Sequence, residues 1–232
     1  MKLLCVFSIL FLAFAFTASS DSIVLKGGYV RPTGGNDLLD LNGRPTTLKR
    51  DALDGLTGEV SYLHTMGDRF SIGGNVGYYN SDTQLDELDF NVNDGDDTPR
   101  RNVELRIIPI EFAAQFLPVG EGRFTPYVGG GVGAYVWKYR EQGLFLTNPG
   151  SPTPIFRQGL ATSDNTDFGW HVEGGVRFPI SHSVAVLGEA KYFQVQGDLT
   201  GTDSELDDLF TTGTPKIDLN QVTLTGGFAF SF

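Results

Sequence analysis

The chain has 232 residues and a formal net charge of −11 at pH 7, which argues against a nucleic-acid partner. Thirty glycines and 12% aromatic residues suit a β protein with close backbone approaches. The single cysteine, Cys5, excludes a disulfide framework.

At the N-terminus, Lys2 precedes LLCVFSILFLAFAF and then the small residues TASS. A short positive region, an apolar core and a small-residue cleavage site are the parts of a secretory leader. The run is shorter than the roughly 20 residues a membrane helix needs. Residues 1–20 are therefore expected to be a signal peptide that takes Cys5 with it, and residues 21–232 to form one domain. After residue 20 no apolar run has the length of a transmembrane helix.

Eight segments alternate apolar with small or polar residues, at about 23–31, 55–64, 69–79, 102–117, 124–139, 166–178, 183–195 and 218–232. Their connections alternate in length. Those at 65–68, 118–122 and 179–182 are short, and those at 32–54, 80–101, 140–165 and 196–217 are long. The pattern predicts an all-β chain, a single eight-stranded antiparallel up-and-down transmembrane barrel with short periplasmic turns and four long extracellular loops.

Strand periodicity separates two faces. In the last segment Val222, Leu224, Gly226, Phe228, Phe230 and Phe232 share one face, and Gln221, Thr223, Thr225, Ala229 and Ser231 the other. Segments 69–79, 166–178 and 183–195 divide in the same sense, less cleanly. In 102–117 the phase changes: Val103, Leu105 and Ile107 oppose Glu104 and Arg106, but Ile110, Phe112, Ala114 and Phe116 oppose Glu111 and Gln115. A β-bulge at Ile108–Pro109 accounts for such a slip.

Periodicity alone leaves open whether the apolar face is a core or meets lipid. Aromatic residues near strand ends, including Tyr29, Tyr62, Phe70, Tyr78, Phe116, Trp137, Tyr139, Phe168, Phe178, Tyr192 and Phe232, fit two interfacial girdles. The opposite face carries Lys26, Glu59, Glu104, Arg106, Glu111, His171, Glu173, Arg177, Glu189 and Lys191, with acids and bases nearly balanced. In an eight-stranded barrel, whose interior side chains fill, these charges are expected to pair as an ion network. Gly129, Gly131, Gly133 and Gly175 leave room for them.

The closing stretch TLTGGFAFSF fits the form polar–x–Gly–x–x–aromatic–x–aromatic at Thr225, Gly227, Phe230 and Phe232. In this the chain resembles outer-membrane barrels, whose terminal strand carries that pattern as an assembly signal. FTPYVGGGVGAYVW (124–137) and GWHVEGGVRFPIS (169–181) are similar to strands of the small eight-stranded family that includes outer membrane proteins A, X and W and the opacity proteins. The resemblance implies a monomer in the outer membrane of a Gram-negative-type bacterium, inserted by the barrel assembly machinery among lipopolysaccharide. It implies either a structural or surface-interaction barrel with a filled interior, or a narrow passive channel for small, including hydrophobic, molecules.

Small barrels of this kind include lipid-modifying enzymes, so His64, His171 and His182 need weighing as bases. The first and last fall at short turns, and no deacylase-like His-x-Ser-Asn stretch occurs. Neither enzyme activity nor a cofactor is expected. NVNDGDD (91–97) departs from an EF-hand loop in glycine register, so no metal site is expected either. The acid-rich stretches 80–101 and 196–217 read as solvated surface, or as divalent-cation bridges to neighbouring glycolipid. Within them, LDELDF and ELDDLF are expected to form single helical turns placing Leu88, Phe90, Leu209 and Phe210 over the barrel mouth.

Overall fold

The computed structural model describes residues 21–34, 53–86, 100–120, 122–146, 156–198 and 216–232. Among these residues, alternation produces nine strand segments: β1 (Asp21–Pro32), β2 (Gly55–Met66), β3 (Phe70–Asp86), β4 (Arg100–Phe116), β5 (Thr125–Leu146), β6 (Phe156–Pro179), β7 (Val184–Asp198), β8 (Lys216–Asp218) and β9 (Gln221–Ser231). The pairs Gln196↔Asp218 and Phe193↔Gln221 lie on one ladder against β7, so β8 and β9 are two parts of a single stave. It is interrupted at Asn220, whose backbone oxygen accepts from the amides of Thr33 and Gly34 while its side-chain oxygen accepts from Val195. β9 then pairs with β1 from Ser22↔Ser231 to Pro32↔Gln221 and closes an eight-stranded antiparallel barrel. Closure removes both sheet edges, as hydrocarbon requires.

The stagger of the barrel follows from its registers. The pairs lead from Ser22 through Leu63, Gly73, Ala113, Gly131, His171, Phe193 and Gln221, and return to β1 at Pro32, ten residues from the start. Ten residues at about 3.3 Å against eight spacings of about 4.8 Å tilt the strands by roughly 40°. Every residue on that path faces inward, so the path also marks the interior phase of each strand. The β2–β3 and β4–β5 turns include Gly67 and Gly120, with φ of 64° and 70°, the left-handed region that glycine occupies without penalty.

Around the outside runs an apolar belt. Leu25, Val60, Val76, Phe112, Val132, Val172, Leu224 and Phe228 point away from the barrel axis, Val132 with 63% of its surface uncovered. A belt this continuous has no counterpart on a monomer in water. Rings flank it: Phe70 lies 5.2 Å from Phe116 and Phe124 5.4 Å from Phe178 at the short-turn end, with Trp170 5.9 Å from Tyr192 towards the other. Trp137 and Tyr139, expected among the girdle aromatics, instead sit inside, 1% and 6% exposed, because the odd residues of β5 from Thr125 to Gly143 face inward.

Further expectations are corrected. No bulge interrupts β4. Its ladder to β3 keeps one register from Phe70↔Phe116 to Asp86↔Arg100 across the gap at Pro109, and its ladder to β5 is unbroken from Arg101↔Gly143 to Phe116↔Val128. What changes at Ile108 is polarity, not phase. Below it the outward residues are Ile110, Phe112, Ala114 and Phe116; above it they are Arg106 and Glu104, while Val103, Leu105 and Ile107 are buried inside. The wall has left the hydrocarbon there, and its two faces exchange solvents. Strands also run further than the alternation suggested: β3 reaches Asp86, and β5 and β6 pair from Thr125↔Arg177 to Leu146↔Phe156. The parts of 80–101 and 140–165 read as loop are therefore partly sheet. The expected helical turn at LDELDF is corrected at its start, where Leu85 and Asp86 are the last residues of β3 and pair with Arg101 and Arg100. The rest of it, with Leu88 and Phe90, the ELDDLF turn with Leu209 and Phe210, the NVNDGDD stretch and the expected leader, residues 1–20, lie outside the described residues.

Candidate functional site

The lumen is layered. At the short-turn end Val24, Leu63, Leu187 and Ala229 form a small apolar layer. At the long-loop end a larger one contains Val30, Val103, Leu105, Ile107, Tyr135, Trp137, Phe193, Val195, Ile217 and Leu219. Between them lies the ion cluster.

Seven of the predicted network residues meet there. Lys26 Nζ lies 2.5 Å from Glu59 and 2.8 Å from Glu189. Lys191 Nζ lies 2.6 Å from Glu59, 2.9 Å from Glu111 and 3.8 Å from Glu173. The His171 ring stands between two acids, with Nδ1 3.2 Å from Glu111 and Nε2 3.8 Å from Glu173. Strands β1, β2, β4, β6 and β7 each contribute, so the cluster ties the wall together across its diameter. Charges this deep are tolerable only when paired and hydrogen-bonded.

Arg177 joins indirectly. Its guanidinium donates to Gln115, whose amide donates to Glu173 Oε1 at 2.7 Å, and it lies 4.7 Å over the Tyr127 ring. Glu104 and Arg106 are the correction. They pair with one another at 2.6 Å on the outer face, with side chains 32% and 44% exposed, and reach no part of the cluster. Their exclusion follows from the unbroken register of β4: even residues face out from Asn102 to Phe116.

Several members carry no charge and were absent from the sequence reading of the network. The Tyr127 hydroxyl donates to Glu189 at 2.8 Å, the Tyr135 hydroxyl to Glu111 at 2.6 Å, and Ser61 to Glu59 at 2.9 Å. Parity was their signal, since each lies at an inward position of its strand. Glycines make the space. A Cβ on Gly131 would lie 2.7 Å from His171 Cε1, and one on Gly175 would lie 2.5 Å from the Tyr127 hydroxyl.

The four motif residues of the last strand divide between the two faces. Phe230 and Phe232 face outward, while Gly227 lies opposite Lys26 on the inner face with Thr225 next to it in phase. At the short-turn end His64 Nδ1 and the Tyr62 hydroxyl reach Asp21, at 2.7 and 2.9 Å. Among the described residues no group of three or more His, Cys, Asp or Glu side chains is arranged to hold a metal ion. Within the cluster His171 faces carboxylates, and apolar layers separate it from both barrel mouths. The arrangement is built to cross-brace.

A closed cylinder with an apolar outer belt and its charges paired within is a transmembrane β-barrel. The chain belongs to the family described as outer membrane protein beta-barrel domain, which matches residues 4–231 and places it in the outer membrane of a Gram-negative-type bacterium. Among solved structures it is similar to the outer membrane protein OprG from Pseudomonas aeruginosa, at 13% identity and a TM-score of 0.57, covering 93% of this chain and 97% of that one. It is also similar to Neisserial surface protein A, at 11% identity and a TM-score of 0.49, covering 91% and 97%. A third similar structure, by solid-state NMR, is the outer membrane protein AlkL, at 17% identity and a TM-score of 0.45, covering 94% of each chain. At 13% identity the likeness to OprG is one of fold. A comparison with curated proteins found no sequence match.

Proposed function

We propose that the protein is a non-conducting barrel whose work is structural or is done at its extracellular surface. The observation that carries this reading is the layered lumen: Lys26 and Lys191 bridge carboxylates on strands across the interior, with packed apolar residues above and below. An ion entering would have to part buried pairs and then cross an apolar layer, both costly steps. The loops, mounted on a stiff cylinder, are then the partner-facing part.

The partners this reading entails are outer-leaflet lipid and lipopolysaccharide around the belt, and the barrel assembly machinery acting on the terminal strand during insertion. The chain acts as a monomer and is exported with residues 1–20 as its leader. Catalysis has no place in it.

A second reading, a narrow passive route for small hydrophobic molecules, draws on one feature. The pairs of β6 with β7 begin at Gly169↔Val195, while β6 extends to Phe156 and β7 to Asp198, so among the described residues the wall divides between them near the outer interface. The Trp137 indole, which donates to Asp167 at 2.7 Å, packs against Gly197 across that division. Planar-bilayer recordings separate the readings: the purified barrel is expected to give no steady conductance. A reproducible open level would reverse the order.

A further inference from the structure

Where the closing strand faces the ion cluster, packing leaves a cavity with room for a water centre over about 20 Å³. Its lining includes Glu59, Glu111 and Lys191 of the cluster, Gln221, Thr223 and Thr225 of β9, and members of the upper apolar layer. Gln221 is 1% exposed, yet neither its amide nitrogen nor its amide oxygen has a partner among the described residues, and Thr225 Oγ1 is buried without one as well. Left dry, such groups would keep their full desolvation penalty with nothing to offset it.

The lining selects the occupant. Lys191 Nζ, already 2.6 Å from Glu59 and 2.9 Å from Glu111, repels a small cation. The two carboxylates repel an anion. Gln221 offers both a donor and an acceptor, so the occupant must be neutral, of water size, and able to do both. We propose that one ordered water fills this cavity and joins Gln221 and Thr225 of the closing strand to a carboxylate of the cluster. The position gives it a task. β9 contains no charged residue, and its hydroxyl bond to this region, Thr223 Oγ1 to the Lys191 carbonyl at 3.4 Å, ends on backbone. The water is the side-chain link between the stave that closes the barrel and the cluster that braces it.

The test is a crystal structure of the full barrel in detergent, together with thermal unfolding of two variants. Density is expected within about 3.2 Å of the Gln221 amide and of a Glu59 or Glu111 oxygen; an empty cavity, or an amide turned onto a protein partner, overturns the proposal. Gln221→Leu is expected to lower the unfolding midpoint by about 3–6 °C, with Thr225→Val lowering it less. If the amide were dry, Gln221→Leu would raise the midpoint, and that result also refutes the link. Replacing sodium with choline should leave the midpoint unchanged; a sodium-dependent rise would assign the cavity to a cation instead.

Discussion

Lys191 shows what single residues do in this interior. Its ammonium serves carboxylates from β2, β4 and β6, and its side chain is 4% exposed. Lys191→Met would strand Glu59 and Glu111 without their shared partner, and breaking a buried pair from one side costs about 3–5 kcal/mol. Urea unfolding in lipid vesicles should record that loss, while Glu104→Gln, in an exposed pair, changes stability by no more than about 1 kcal/mol. Equal losses would contradict the division between the enclosed cluster and the outer pair. Residue type and parity were enough to nominate Lys26, Glu59, Glu111, Glu173, Glu189 and Lys191. Which carboxylate each lysine meets depends on the ten-residue stagger, and no local pattern encodes a stagger that accumulates over eight registers.

At the scale of the element, β4 is the instructive strand. A reading that assigns one solvent to each face interprets the apolar run Val103, Leu105, Ile107 followed by Ile110, Phe112 as a slip in phase. The strand keeps its phase and changes its surroundings. In lipid its outer face is apolar and its inner face polar; above lipid the arrangement is that of a soluble barrel. Arg106 and Ile107 are neighbours that this account separates. With Arg106→Cys, a membrane-impermeant maleimide should label intact cells readily; with Ile107→Cys labelling should be at background, since Ile107 is fully buried. Labelling of both would restore the bulge. The same exchange explains why β5 and β6 run past the end of their apolar alternation: backbone pairing continues wherever a partner strand is present, whatever the side chains face.

For the whole molecule the decisive event is closure. The terminal strand pairs with β1 over most of its length and sets Phe228, Phe230 and Phe232 against the surroundings, Phe232 with 72% of its surface uncovered. A ring so placed adds little to packing within the chain. Phe232→Ser should therefore refold in detergent to the same extent as the parent, measured by the faster gel mobility of the unheated barrel. In cells the amount reaching the outer membrane is expected to fall several-fold. Equal amounts would remove the assembly role of the terminal aromatic.

The sequence by itself determined the class, the strand count, the short-turn and long-loop sides, and the face of nearly every residue within lipid. The strand count, the sides and the faces follow from period-two alternation and its spacing, which are local properties; the class needed the aromatics near strand ends, the balanced charges and the pattern of the closing strand as well. Only the tertiary structure decided where the wall leaves the hydrocarbon, which carboxylates each lysine meets, and that Glu104 and Arg106 belong outside. Those depend on the height of each residue in a tilted, closed sheet, and that height is settled jointly by all eight strands.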